Sequence, residues 1–108
     1  MVERFNIRDV VRARLDQRSF HIASEKNVRI EFRNMVTGDK IDPFRYEGDL
    51  VLTCYRGSFA FGEVGTSVDL VEMDQIVVPA STSVALQCTS NGTIQIIWSP
   101  AFAQTVKG

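Results

Sequence analysis

These 108 residues predict an all-β domain, an antiparallel sandwich or small barrel preceded by one short helix. Three observations carry that reading. Apolar and polar residues alternate with period two from Phe20 onward, the alternating runs are short and number eight or nine, and turn-forming residues separate most of them.

The helix comes first. Asn6, with Asp9 three positions on, can cap a helix, and Val10, Val11 and Leu15 give it an apolar side. It should end near Leu15 and is too brief to stand without docking. Phe20 and Ile22 then alternate with His21 and Ala23, and Val28, Ile30 and Phe32 alternate with Arg29, Glu31 and Arg33. One apolar and one charged face mark a half-buried strand. Further strands are expected over 40–46, 49–56, 58–62, 67–71, 75–78, 83–88 and 93–98. The breaks between them include Thr37-Gly38-Asp39, Glu47-Gly48, Arg56-Gly57, Val64-Gly65-Thr66, Met73-Asp74 and Pro79-Ala80-Ser81. Asn91-Gly92 predicts a tight hairpin, because both central positions of a type I′ turn need positive φ. No repeat or low-complexity linker interrupts the pattern. The expectation is one domain, with an N-terminal arm over about 1–18, a barrel over about 19–100 and a tail over 101–108.

Twelve basic against thirteen acidic side chains leave a net charge of −1, so no bulk field favours nucleic acid or an anionic membrane. The basic residues gather early: residues 1–35 carry Arg4, Arg8, Arg12, Arg14, Arg18, Lys26, Arg29 and Arg33 against Glu3, Asp9, Asp16, Glu25 and Glu31, and the remainder is net acidic. That segment is expected to be solvated, with the acidic body or a partner subunit as a surface it can dock on, and with an anion site as the alternative. No signal-type or membrane-spanning apolar run occurs, and a cytoplasmic protein is expected. Cys54 and Cys88 are too few for a disulfide scaffold and lack zinc-site spacing. No glycine-rich phosphate loop or dinucleotide fingerprint is present.

Two segments carry more information, 38–57 (GDKIDPFRYEGDLVLTCYRG) and 73–88 (MDQIVVPASTSVALQC). Together they resemble the paired metal-site motifs of the small single-domain cupins, the RmlC-like family. Anchored on Gly38 and closing on Gly57, the first motif puts its two histidines at Phe44 and Tyr46 and its glutamate at Leu50. The second keeps its proline at Pro79 but has Met73 and Ser81 for its glycines, Val84 for its histidine and Cys88 for its asparagine. The resemblance implies a cupin-like double-stranded β-helix, a jelly-roll barrel, in a divergent member without the metal-binding histidines. His21 is the one histidine in the chain and lies outside both motifs.

A cupin metal is held by several imidazoles and a carboxylate. Apolar replacements at those positions imply no metal and no other cofactor. Either the core is filled or an apolar pocket remains, lined by Phe44, Tyr46, Leu50, Cys54, Val84 and Cys88, with the Tyr46 hydroxyl as its polar handle. The two thiols read as small core residues, since an apolar setting raises a thiol pKa. Arg45 and Arg56 alternate away from Tyr46 and Cys54, toward solvent or an interface. Trp98 and the apolar Pro100–Ala103 tail suggest packing at a rim or against a second subunit. The expected function is a metal-free, homodimeric domain that binds a small apolar molecule. The alternative is a metal-independent isomerase, epimerase or cyclase using Tyr46 with a nearby carboxylate such as Asp49; a metal-dependent oxygenase would need ligands from outside the motifs.

Overall fold

The computed structural model describes residues 4–24, 29–62 and 67–99. The expected helix is present as α1 (Ile7–Ala13), and Asn6 caps it, its side-chain oxygen accepting the Asp9 amide at 3.1 Å. Seven strands follow among the described residues: β1 (Ser19–Ser24), β2 (Arg29–Met35), β3 (Lys40–Arg45), β4 (Leu50–Phe61), β5 (Val68–Val71), β6 (Gln75–Val78) and β7 (Ser83–Trp98). Every pairing is antiparallel, and the order β1-β2-β7-β4-β5 is extended by β3 on β7 and β6 on β4.

β4 and β7 each serve two neighbourhoods. Residues 50–53 of β4 pair with β6 and residues 58–61 with β5, while residues 92–98 of β7 pair with β2 and the 83–87 half with β3. The sheet therefore has two halves that share its two long central strands. The apolar faces of both halves meet in one core, to which Leu50, Leu52, Ile94 and Ile96 come from one half and Phe59, Val84, Leu86 and Leu70 from the other.

Two breaks expected from the sequence turn out to be continuous strand. Arg56-Gly57 does not separate two strands; it lies in a run of register shifts inside β4, where the strand bends. Asn91-Gly92 is likewise no hairpin but part of the 16-residue β7. The glycines are needed for close approach between strands. A Cβ on Gly57 would sit 2.6 Å from the Gly92 Cα, and a Cβ on Gly92 would strike the Arg56 carbonyl. Asn91 is spent on a tertiary bond, accepting the Thr37 amide at 2.8 Å and so tying the β2–β3 turn to β7.

A second, smaller cluster lies on the outer face of the β1-β2-β7-β4 half, where Val11 of α1 packs with Phe20, Phe32 and Tyr55. The Asn34 amide fixes the end of the helix, donating to the Arg14 and Gln17 carbonyls at 2.9 and 2.7 Å. The arm is thus docked on the body by apolar packing and by amide hydrogen bonds to its backbone; among the described residues none of its arginines forms an ion pair with the body. The Val64-Gly65-Thr66 turn and the Pro100–Ala103 tail lie outside the described residues. No helix among the described residues is long and apolar enough to cross a membrane.

Candidate functional site in the barrel

The motif register is visible in the backbone. Gly38 and Gly57, at the glycine positions of the first segment, have φ of +96° and +78°. Met73 and Ser81, standing where the second motif has glycine, hold φ of +72° and +65°. Side chains other than glycine seldom adopt that conformation, so the fold imposes it on both residues. The surrounding hydrogen bonds show how. The Met73 amide donates to the Cys54 carbonyl at 2.7 Å, and the Ser81 amide to the Tyr46 carbonyl at 2.8 Å.

All six side chains expected to line a pocket belong to one apolar cluster. Leu50, Cys54, Val84 and Cys88 are fully buried in it, while Phe44 and Tyr46 are half-buried and pack against it. Four surface cavities bounded by described residues are lined by other side chains. Both cysteines are free thiols. Burial pushes Cys54 up to about 11, with Asp74 and Glu72 adding to the shift, and burial raises Cys88 as well. Thiols held protonated in this way are core residues rather than nucleophiles.

Sequence reasoning passed over the side chains beside them. Residues opposite one another on paired strands share a face, and Glu31 lies opposite Ile96, which lies opposite the buried Leu52. The charged face of β2, made of Arg29, Glu31 and Arg33, therefore turns toward the same side as the core, while Phe32 faces the helix. Glu31 is buried, its side chain 4% exposed, and accepts from Arg33 Nε at 2.8 Å, Trp98 Nε1 at 3.0 Å and Arg29 at 3.3 Å. Burial alone would raise its pKa. The hydrogen bond and charge of Arg33, with the bonds from Trp98 and Arg29, outweigh that and hold the carboxyl below its ordinary 4.5. The only sequence signal for this arrangement was the pairing of a strictly alternating charged face with an apolar one; it did not say that the carboxylate at the centre of the charged face would be buried.

Trp98 joins this network to the motif residues. Phe44 stacks on its indole at 5.8 Å, Tyr46 meets it edge-on at 5.0 Å, and the Arg29 guanidinium lies 5.1 Å from the ring centre. Tyr46 makes no side-chain hydrogen bond among the described residues. Asp49 is committed elsewhere, accepting the Ala80 amide at 3.0 Å in the turn before β7.

No family model and no curated protein matches the chain. Solved structures do. A protein of Bacillus halodurans superposes with a TM-score of 0.80 at 16% identity, over 93% of this chain and 82% of that one. An RmlC-like cupin of Desulfovibrio desulfuricans gives 0.76 at 19% identity, over 94% and 99% of the two chains. A cupin superfamily protein of Desulfitobacterium hafniense gives 0.71 at 22% identity, over 76% and 75%.

The fold is that of the cupins. At these identities the likeness is one of architecture, and the chemistry has to be read from this chain's own cupin barrel. A transition-metal ion does not fit its motif positions, because Phe44, Tyr46, Leu50 and Val84 offer one phenol and neither imidazole nor carboxylate. Among the described residues no three His, Cys, Asp or Glu side chains converge to hold an ion. What the cupin barrel presents instead is an aromatic wall of Phe44, Trp98 and Tyr46, backed by a packed core and flanked by a buried carboxylate between two guanidinium groups.

Proposed function

We propose that this cupin-fold chain is a metal-free, homodimeric protein that binds a small, largely apolar molecule against the Phe44–Trp98–Tyr46 wall. The observation that carries the reading is the half-burial of these three rings above a fully buried apolar core. Flat apolar surface with a single phenol hydroxyl is an ordinary composition for a small-molecule site. Leu50, Cys54, Val84 and Cys88 support the wall from beneath, and contact with the ligand falls to Phe44, Tyr46 and Trp98. The dimer rests on β1, which ends the strand order among the described residues and offers an edge that a second copy can cover. The acid–base alternative gains no support from the geometry. Asp49 is engaged with a backbone amide, and Glu31, held ionised between two arginines, is a poor base.

Trp98 is the single tryptophan of the chain, so its emission reports on the wall directly. The neutral probe N-phenyl-1-naphthylamine should bind saturably and accept energy from Trp98, and Phe44→Ala should weaken binding by about fivefold or more, as expected for loss of one stacked ring. Protein purified without chelator should carry no stoichiometric Fe, Mn, Ni or Zn, and its native mass should be twice 12.1 kDa. A stoichiometric ion, or probe binding that Phe44→Ala leaves untouched, overturns the site; a monomer mass overturns the dimer.

A further inference from the structure

Beyond the barrel, on the opposite face of the sheet, α1 does not lie flush. Arg8, Val11, Arg12 and Leu15 recur at helical spacing along one face of the arm, and only Val11 is buried against the outer cluster. The others border a groove of about 450 Å³ between the helix and β4, with Tyr55 and Arg56 on the far wall and Glu72 and Met73 at one end. The register shift in β4 shapes that wall. Between Cys54 and Arg56 the strand advances two residues while β7 advances one, from Ile94 to Thr93, so Tyr55 and Arg56 lie together opposite Thr93.

Three guanidinium groups and one carboxylate thus line the groove. Among the described residues Arg8, Arg12 and Arg56 make neither an ion pair nor a side-chain hydrogen bond, and the Arg56 Nε is buried without an acceptor. Arg8 and Arg12 are exposed and open to water, whereas the buried Arg56 Nε without an acceptor is costly. A bound oxyanion would supply that acceptor and take charge-assisted bonds from the two exposed forks as well. The rest of the lining is apolar. Leu15 and Met73, 48% and 61% exposed, line the groove together with Tyr55.

We infer that this groove is a binding site for an amphipathic organic anion. A carboxylate or phosphate group is held by Arg8, Arg12 and Arg56, and its apolar stem lies over Leu15, Tyr55 and Met73. The site is separate from the aromatic wall in the barrel, and the two readings stand or fall independently.

Titration of the full-length chain with octanoate, octyl phosphate and octanol, followed by calorimetry and by backbone amide shifts, tests the inference. Both anions should bind saturably, weaken with added salt, shift the amides of Val11, Leu15 and Tyr55, and leave the Trp98 indole signal in place. Octanol should bind at least about tenfold more weakly, and Arg12→Gln, an exposed helix position that the fold does not need, should cost about tenfold in affinity for either anion. Glu72→Gln should tighten both a few-fold by removing the one opposing charge. A preference between the two anions identifies the headgroup class. Octanol binding as tightly as the anions, affinities unmoved by Arg12→Gln, or shifts centred on Trp98 overturn the inference.

Discussion

A carboxylate enclosed by two arginines on the core side of a barrel stabilises the fold only while it is ionised. Glu31 takes three donors, from Arg33, Trp98 and Arg29, and Glu31→Gln removes the charge that all three address. The substitution should cost about 2–3 kcal/mol at pH 7, since both arginines are part-exposed and water recovers some of the loss. The pH dependence follows from the sign of the shift. The folded carboxyl titrates below its ordinary 4.5, so its contribution is present above that value and is lost as pH falls through the depressed one. Urea unfolding of both proteins at pH 7 and pH 3 should therefore show a wide stability gap at the higher pH and a narrow one at the lower. Equal gaps would mean that Glu31 contributes through packing alone.

At the scale of the elements, the glycines and the residues that replace them decide where β4 and β7 bend. Gly57→Ala should destabilise by about 3 kcal/mol or more, because its Cβ meets the backbone of β7 and its φ is positive. Gly38→Ala should cost only about 1 kcal/mol, for its φ is also positive but nothing lies within 4 Å of the added carbon. Ser81→Gly should stabilise by about 0.5–1 kcal/mol, the strain at φ +65° being relieved against the entropy that glycine adds to the unfolded chain. Urea midpoints rank the three, and a Gly38→Ala as damaging as Gly57→Ala would mean that φ rather than strand contact sets the cost. Close strand contact also explains why Asn91-Gly92 is not the hairpin expected of it. A pair suited to a type I′ turn is equally suited to a close strand crossing, and only the partner strand distinguishes them.

For the whole molecule, the sharing of β4 and β7 between both halves of the sheet couples the halves, because neither can open without breaking the strands of the other. Cys54 and Cys88 lie near the bends of these strands, and Trp98 lies at the end of β7. Labelling of the two thiols by a disulfide reagent at pH 8 and the change in Trp98 emission should share one urea midpoint. A thiol that reacts before Trp98 responds would show that the halves open separately. The raised Cys54 pKa acts in the same direction. Its stabilising contribution is intact below the ordinary 9.0 and is lost as pH rises through about 11, so the native thiols stay protonated and slow at pH 8.

The sequence by itself determined the all-β class, the cap of α1, the positions of most strands and the loss of imidazoles from the motif positions. Each of these follows from local chemistry: period-two alternation, a side-chain oxygen at a helix start, and the identity of single residues. Only the tertiary structure decided that two pairs of expected strands were single long ones, that Met73 and Ser81 keep the backbone of absent glycines, and which way β2 turns. Alternation says that a strand has two unlike faces, not what covers each. Here α1 covers the apolar face and leaves the charged one, with Glu31 between its arginines, to the inside of the barrel.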